Sequence, residues 1–438
     1  MAVLRSPRAV GLLALATALA IPPLRAQPPS APPATGRATL VIRDVTLIDG
    51  SGAPPRPHVS VVVRGDRIAD IVPAGEGREP AADLVVDGSG RYAIPGLIDA
   101  HVHLSGAPWE WSVQQLARAL RGGVTAVFDV AGDTRQTSDL ARAAMAGEID
   151  SPAIYYSALM AGPAFFEDPR VRAASLGYTP GEAPWARAVT PATDMAQAVA
   201  AARGTGATAL KLYAALDSAT AARAAAEARR QGLRVVAHAT VFPARPMQLV
   251  TAGVTMLAHT PYLVWEGSPP TTDYTQRARG DFLHVPADSP LIERLLTAMR
   301  DRGVALNPTL WVFAEAQPED SVSRVRTPWM YAVTRRAAEL GVSIVAGTDG
   351  LVPPDGRGPP TLHRELALLV SGAGLTPLQA LTAATSAAAR AMGAEADRGI
   401  LAPGRLADVV LLEADPTADI ANTRRIWMVV KEGRIVAR

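Results

Sequence analysis

The sequence predicts an α/β fold, a (β/α)8 barrel of the TIM type carrying a small β-sandwich domain built from both chain ends. Three observations lead there. Between residues 94 and 395, short apolar segments alternate with alanine-rich amphipathic runs, the pattern of parallel strands wrapped by crossover helices. Eight such strands can be counted, enough to close a barrel. Short β-branched segments separated by glycine or proline turns precede this region at 38–93 and return after it at 396–438, so the two ends are expected to meet in one β unit.

The elements follow in chain order. Arg5 and Arg8 precede an apolar stretch at 9–21, with small residues at Ala18, Ala20 and Ala26, so residues 1–26 read as a signal peptide cleaved after Ala26, or alternatively after Ala20. That stretch is shorter than the ~20 residues needed to span a bilayer, and no membrane span is expected in the mature chain. The protein is therefore expected to be exported, periplasmic or secreted. A Pro/Ala-rich spacer follows at 27–37. The β-sandwich strands are expected at 38–48, 58–72, 82–86, 405–412 and 426–436, the last with a turn at Glu432-Gly433. Barrel strands are expected near 94–101, 124–130, 153–159, 207–213, 233–239, 254–259, 304–309 and 342–348. Helix-end signals lie between them: Ser218 before a run closed by Gly232, Ser289-Pro290 opening 291–302, and Gly341 closing 328–340.

Composition narrows the chemistry. With 48% apolar residues the chain is globular, and with no cysteine it has no disulfides, thiolate ligand or thiol nucleophile. Any metal must be held by nitrogen and oxygen. The formal charge is only +2 and the arginines are scattered, which argues against nucleic acid or an anionic membrane as partner. Formation of a homo-oligomer is compatible with this composition. Of 43 basic residues only Lys211 and Lys431 are lysines, so each invites the question of what it does.

Active sites in this fold are built at the C-terminal ends of the strands. The first strand ends in His101 and His103, two imidazoles at i and i+2 able to share a face and a metal. Lys211 lies on the fourth strand, His238 on the fifth, His259 on the sixth, and Asp349 directly follows the eighth. Each alone would pass for packing or a turn, but together they aim at one rim. Two long connections, 160–190 and 261–288, carry Phe165, Phe166, Trp185, Tyr262 and Trp265. These either line an apolar substrate pocket or pin the loops to the barrel top.

These residues resemble the amidohydrolase superfamily, in its binuclear-metal branch and its imidazolonepropionase-like and prolidase-like dipeptidase group. The resemblance runs through Ile94-Pro-Gly-Leu-Ile-Asp-Ala-His-Val-His103, Leu210-Lys-Leu212, Val235-Val-Ala-His238, Leu257-Ala-His259 and Ala346-Gly-Thr-Asp-Gly350. It continues in Leu362-His-Arg-Glu-Leu366, 374–381 and 401–409. It implies that His101, His103 and Asp349 hold the more buried of two divalent metal ions, that His238 and His259 hold the more exposed one, and that an N6-carboxylated Lys211 bridges them. Physical chemistry agrees with the bridge. A carbamate offers two oxygens to metals ~3.5–4 Å apart, which neither an ammonium nor a permanently protonated guanidinium can do. Nitrogen and carboxylate ligands favour zinc, with manganese, cobalt or nickel as alternatives.

The expected reaction is hydrolysis of an amide C–N bond in a dipeptide or N-acyl amino acid, by attack of a metal-bridging hydroxide with Asp349 as base and then acid. Tyr213, Trp311 and His363 are the substrate-binding candidates. Three departures from the family pattern fall where substrates are expected to bind: 161–167 replaces a glycine- and histidine-rich loop, Thr260-Pro261 follows the sixth-strand histidine, and Phe128 precedes Asp129 where arginine is common. Alternatives are a lactonase, carbamate or phosphotriester hydrolase on the same centre, a cyclic-amide hydrolase or deaminase, and a non-catalytic binding module. A deaminase would normally carry a glutamate at position 241, which here is Val241.

Overall fold

The computed structural model describes residues 39–437, apart from 76, 78, 317–319, 354 and 355. The expected leader and spacer lie outside the described residues. The strands are β1 (Thr39–Leu47), β2 (Arg56–Arg64), β3 (Arg67–Pro73), β4 (Leu84–Asp87), β5 (Tyr92–Pro95), β6 (Leu97–Val102), β7 (Val124–Asp129) and β8 (Ala153–Ala161). A small hairpin, β9 (Glu182–Ala183) and β10 (Ala186–Ala188), precedes β11 (Ala209–Leu212), β12 (Arg234–His238), β13 (Met256–Ala258) and β14 (Ala305–Asn307). The last three are β15 (Val409–Leu412), β16 (Ile426–Lys431) and β17 (Arg434–Ala437).

Strands β6, β7, β8, β11, β12, β13 and β14 pair in that order, all parallel. The eighth position is taken by 342–348, which is not a regular strand. Ile344 bridges Leu306, the Val345 N–H donates to the Leu306 carbonyl at 2.9 Å, and the Ala100 N–H donates to the Ala346 carbonyl at 3.1 Å, so the ring closes. Its ladder is incomplete because the Asn307 side-chain amide takes the Val345 carbonyl at 2.9 Å. Inside, Ile98, Ala126, Phe128, Ala209, Val236, Met256 and Ala305 pack into one cluster, a filled floor beneath the strand ends. Strict alternation from Ile98 and Ala100 would turn Val102 inward. A register shift between Asp99 and Val102 breaks the alternation and leaves His101 and His103 facing the rim.

The helices use the expected signals with two adjustments. Asp217, not Ser218, caps Ser218–Arg230, accepting from the Thr220 N–H at 2.7 Å. The helix expected to begin at Pro328 begins at Ser323, where Asp320 and Ser323 exchange hydrogen bonds of 2.6 and 2.7 Å ahead of it. The long connections are not bare loops: one holds a 3-10 turn at Pro163–Glu167, a short helix and the β9–β10 hairpin, the other two 3-10 helices. Among the described residues no helix is long and apolar enough to cross a membrane.

Both chain ends join one eight-stranded sheet, β17-β16-β15-β5-β1-β2-β3, with β4 on β1. β5 is the joint, parallel to β1 and antiparallel to β15. The period of two in β15 shows what the sheet covers. Val409 and Leu411 enter the sheet's own core with Ile42, Val61 and Met428, whereas Val410 and Leu412 pack into the barrel's core.

Candidate metal centre

Each candidate ligand sits where a strand meets its following turn. His101 is buried near the end of β6, His103 lies one residue past it with its side chain 39% exposed, and Lys211 is buried within β11. His238 ends β12, His259 follows β13, and Asp349 follows 342–348. His259, Thr309 and Asp349 all have left-handed backbone, with φ of 74°, 52° and 60°. Such strain clusters at sites whose surroundings enforce a side-chain direction. The Asp349 Oδ1 is 3.0 Å from His103 Nε2 and 3.3 Å from His101 Nε2. Ring centroids of His101 and His259 are 4.9 Å apart, and those of His238 and His259 4.6 Å. His101, His259 and Asp349 each offer a donor atom within 4.8 Å of the others.

The other ring nitrogens explain how these imidazoles are aimed. His101 Nδ1–H donates to Asn307 Oδ1 at 2.7 Å, the amide orientation being fixed by its bond to Val345. His103 Nδ1–H donates to the Ala131 carbonyl at 2.9 Å. His259 Nδ1–H donates at 2.8 Å to the Thr309 hydroxyl, which itself donates to the Pro308 carbonyl. In all three the Nε2 lone pair is left for a cation. His238 differs, with Nδ1 2.6 Å from the Thr240 hydroxyl. Its ring lies between Tyr213 and Tyr262, each centroid 4.9 Å away.

The electrostatics favour the ligating forms of His101, His238, His259 and Asp349, whereas His103, although burial lowers it, is raised by its hydrogen bond and proximity to Asp349. Burial, reinforced by the Lys211 ammonium, lowers His101 to about 4, and burial holds His238 and His259 well below the usual imidazole range. Burial pushes the Asp349 carboxyl up, but the neighbouring imidazoles outweigh it and keep the group well below the ordinary value. Lys211 is 1% exposed, its Nζ has no hydrogen-bond partner, and burial lowers it to about 7 although Asp349 opposes the shift. An orphaned buried amine is costly, and in its neutral form it is a nucleophile toward carbon dioxide. Four imidazoles and a carboxylate make a donor set that fits divalent metal.

Sequence reading missed the buried carboxylates that hold this rim. Asp99 accepts from the Thr348 N–H at 3.0 Å and hydroxyl at 2.7 Å, fixing the residue before Asp349; burial raises it to about 7. Asp129 accepts from the Leu104 N–H at 2.9 Å and the Ala131 N–H at 3.1 Å, pinning both segments that hold His103. Glu365 accepts from the Leu310 and Trp311 N–H groups at 3.0 and 2.7 Å, just after Thr309. The signal for Asp99 and Asp129 was present: an acid inside an apolar strand is rarely there without partners. Gly347 is fixed by space, because a Cβ there would lie 2.6 Å from Asn307 Nδ2 and 2.7 Å from His101 Cβ.

Of the substrate-binding candidates, the structure brings only Tyr213 to the cluster. Its ring is 4.6 Å from Phe165, and both line a cavity of about 850 Å³ that opens beside His103. Trp311 is buried beside Gly350, next to Asp349, and lines a separate cavity with Glu315 and Arg364. His363 is a correction. Its helix, Leu362–Ser371, turns it to the Thr423 hydroxyl and the Gly122 carbonyl, 3.0 Å from each, at the N-terminal end of β7 and away from the strand ends. Phe128 is another, since it fills the barrel floor rather than the substrate side. From the long connections Tyr262 packs on His238 and His259 and Phe165 on Tyr213, whereas Trp185 and Trp265 bond loop carbonyls of Ala174 and Arg277. Tyr274 and Phe313, unmarked in the sequence, lie 5.8 Å from His238 and His259 respectively.

The family model for the amidohydrolases matches residues 92–436. The chain is 27% identical over 457 aligned residues to an N-acyl-D-glutamate deacylase of Alcaligenes xylosoxydans xylosoxydans, covering 87% of this chain and 89% of that protein. It is 41% identical over 83 residues to an adenine deaminase of Rubrobacter xylanophilus, but that match spans only 19% of this chain and 13% of the relative. Among solved structures it is similar to a Xaa-Pro dipeptidase with bound methionine, with a TM-score of 0.72, 20% identity and coverage of 91% of this chain and 99% of that one.

Proposed function

The chain belongs to the amidohydrolase family, and from that premise we propose that it is a two-metal hydrolase of the C–N bond in a dipeptide or N-acyl amino acid. Hydrolysis of an amide-type bond follows from the family and from its deacylase and dipeptidase relatives. The finer reading rests on one observation, the buried and unpartnered amine of Lys211 beside the imidazoles of His101, His238 and His259 and the carboxylate of Asp349. His101, His103 and Asp349 would hold the more buried ion, His238 and His259 the more exposed one, and N6-carboxylated Lys211 the bridge. Zinc suits this donor set best.

When bound, the ions supply an acidified water and a polarised carbonyl. The rest is done by the chain. Asp349, held ionised by its imidazole neighbours, accepts a proton and returns it to the departing nitrogen. Tyr213 and Phe165 wall the approach. Position 241, where a deaminase would need an acid, is a fully buried valine.

Asp349→Asn tests the role of the acid. Turnover on a panel of dipeptides and N-acyl amino acids should fall by about 10²–10⁴-fold, while elemental analysis still finds much of the metal bound. Wild-type turnover in this variant removes Asp349 from the mechanism, and a metal-loaded wild type inert across the panel removes the amide reading.

A further inference from the structure

The cavity beside His103 carries a statement about substrate that the metal ligands do not. At about 850 Å³ it lies toward the upper end of the usual range for small-molecule sites. Its walls come from the turns after the first four barrel strands, and Leu159, Phe165, Leu176 and Ala186 give them an apolar surface. Leu176 is 69% exposed, a large apolar side chain left to water at the cavity wall. Neither lysine nor arginine lines the cavity among the described residues.

The polar side chains of the lining are largely committed to the protein itself. Gln136 accepts from the Gly106 N–H at 3.1 Å and donates to the Ala107 carbonyl at 2.7 Å. The Ser105 hydroxyl accepts from the Asp133 N–H at 2.9 Å, and both Asp133 oxygens are taken by Arg135. An anionic substituent placed here would lose hydration and find the nearest guanidinium, that of Arg135, already committed to Asp133 and to the Leu176 carbonyl. An uncharged apolar one would exchange water for the wall at no such cost.

We propose that the substrate carries a bulky, uncharged, apolar arm beside the scissile amide, aromatic or branched aliphatic, and that this cavity seats it. The proposal rests on the amide-hydrolase reading above and narrows it from dipeptides in general to amides with one large apolar substituent. Leu176 is then a specificity-determining residue that contacts the arm.

The test uses the metal-loaded protein and two amide series. In one the acyl arm on glycine is acetyl, succinyl or 1-naphthoyl; in the other the acetylated amino acid is glycine, aspartate or naphthylalanine. Calorimetric binding and kcat/KM are measured for each. In one of the two series the naphthyl member should be favoured over the small and the anionic members by at least about tenfold. Leu176→Arg, an exposed position whose melting temperature checks folding, should shrink that preference and improve the anionic member. Ala186→Phe, which takes up cavity volume, should reduce naphthyl binding. Small or anionic arms equal to naphthyl in both series overturn the proposal while leaving amide hydrolysis standing. Naphthyl-selective binding that Leu176→Arg weakens, with no turnover anywhere, supports the cavity assignment and defeats the hydrolase reading instead.

Discussion

Lys211 is the residue whose chemistry decides most. An ammonium in its place would sit buried beside imidazoles without a hydrogen-bond partner, and burial already brings the group to about 7, where a large share is neutral amine. Carboxylation would convert that misplaced donor into a two-oxygen acceptor. Lys211→Met keeps the buried volume and removes the amine, so the folded variant should hold at most one metal per chain by elemental analysis. Wild-type protein equilibrated with ¹³C-labelled bicarbonate should show a carbamate carbon resonance that the variant lacks. Two tightly held metals in Lys211→Met would sink the bridge. At this scale the candidate ligands were legible because strand ends are marked by apolar runs and the residues lie inside or directly after them. Their supports were not: Asn307 bonds His101 from 206 residues away, and Thr309 bonds His259 from 50. Such partnerships are made by the barrel's closure, and no local pattern announces them.

Elements position the residues, and helix Leu362–Ser371 shows how. Periodicity alone leaves its phase open, so that His363 is as eligible for the site as its neighbours, whereas the fold turns Glu365 toward it instead. Glu365 takes the first two amides of the short helix Leu310–Ala314, donors that helix geometry leaves without partners. Through that helix it steadies Thr309, and through Thr309 the ring of His259. Burial raises Glu365 to about 8 from an ordinary 4.5. The folded state therefore holds the proton more tightly than the unfolded state. Its stabilising contribution is complete below about pH 4.5 and is lost as pH rises through about 8. Glu365→Gln cannot ionise and keeps one of the two acceptors, so its loss of the second is a pH-independent offset. The melting temperature of the wild type relative to this variant should decline between roughly pH 5 and pH 8.5. A difference that stays level or grows across that window would show that the carboxylate is comfortable when charged. The same scale holds the two strand surprises, the register shift in β6 and the irregular eighth segment. In β6 Asp99 takes the His101 N–H at 3.3 Å, and in the eighth segment Asp99 and Asn307 take the Thr348 N–H and the Val345 carbonyl, backbone groups that a ladder would otherwise use.

For the molecule as a whole, the joining of both chain ends was legible from matching short β-branched segments, since a sheet with apolar residues on alternate positions must find partners. The device that locks the joint was not. Arg398 follows the last barrel helix, Ser386–Met392, and its buried guanidinium bonds Asp408, just before β15, and Glu432, at the β16–β17 turn. Asp408 also accepts from the Glu432 N–H at 2.9 Å, so three segments close on one charge cluster. The Arg398 and Asp408 side chains are each 5% exposed. Replacing the cation alone leaves a buried carboxylate without its partner, which generally costs about 3–5 kcal/mol, whereas removing both charges together costs far less. Arg398→Met should therefore lower the melting temperature strongly, and the double change Arg398→Met with Asp408→Asn should recover a substantial part of the loss. The double variant would then be far less destabilised than the sum of the two single variants, a large coupling in a double-mutant cycle. If the single variant melts like the wild type, the cluster is an ornament of the surface sheet. If the double variant is as damaged as the single, the arginine acts through packing of its stem and not through its charge. In the expected case the charge cluster is balanced within itself, and the apolar face of β15, Val410 and Leu412, ties the last strands to the barrel whose upper rim carries the ligands.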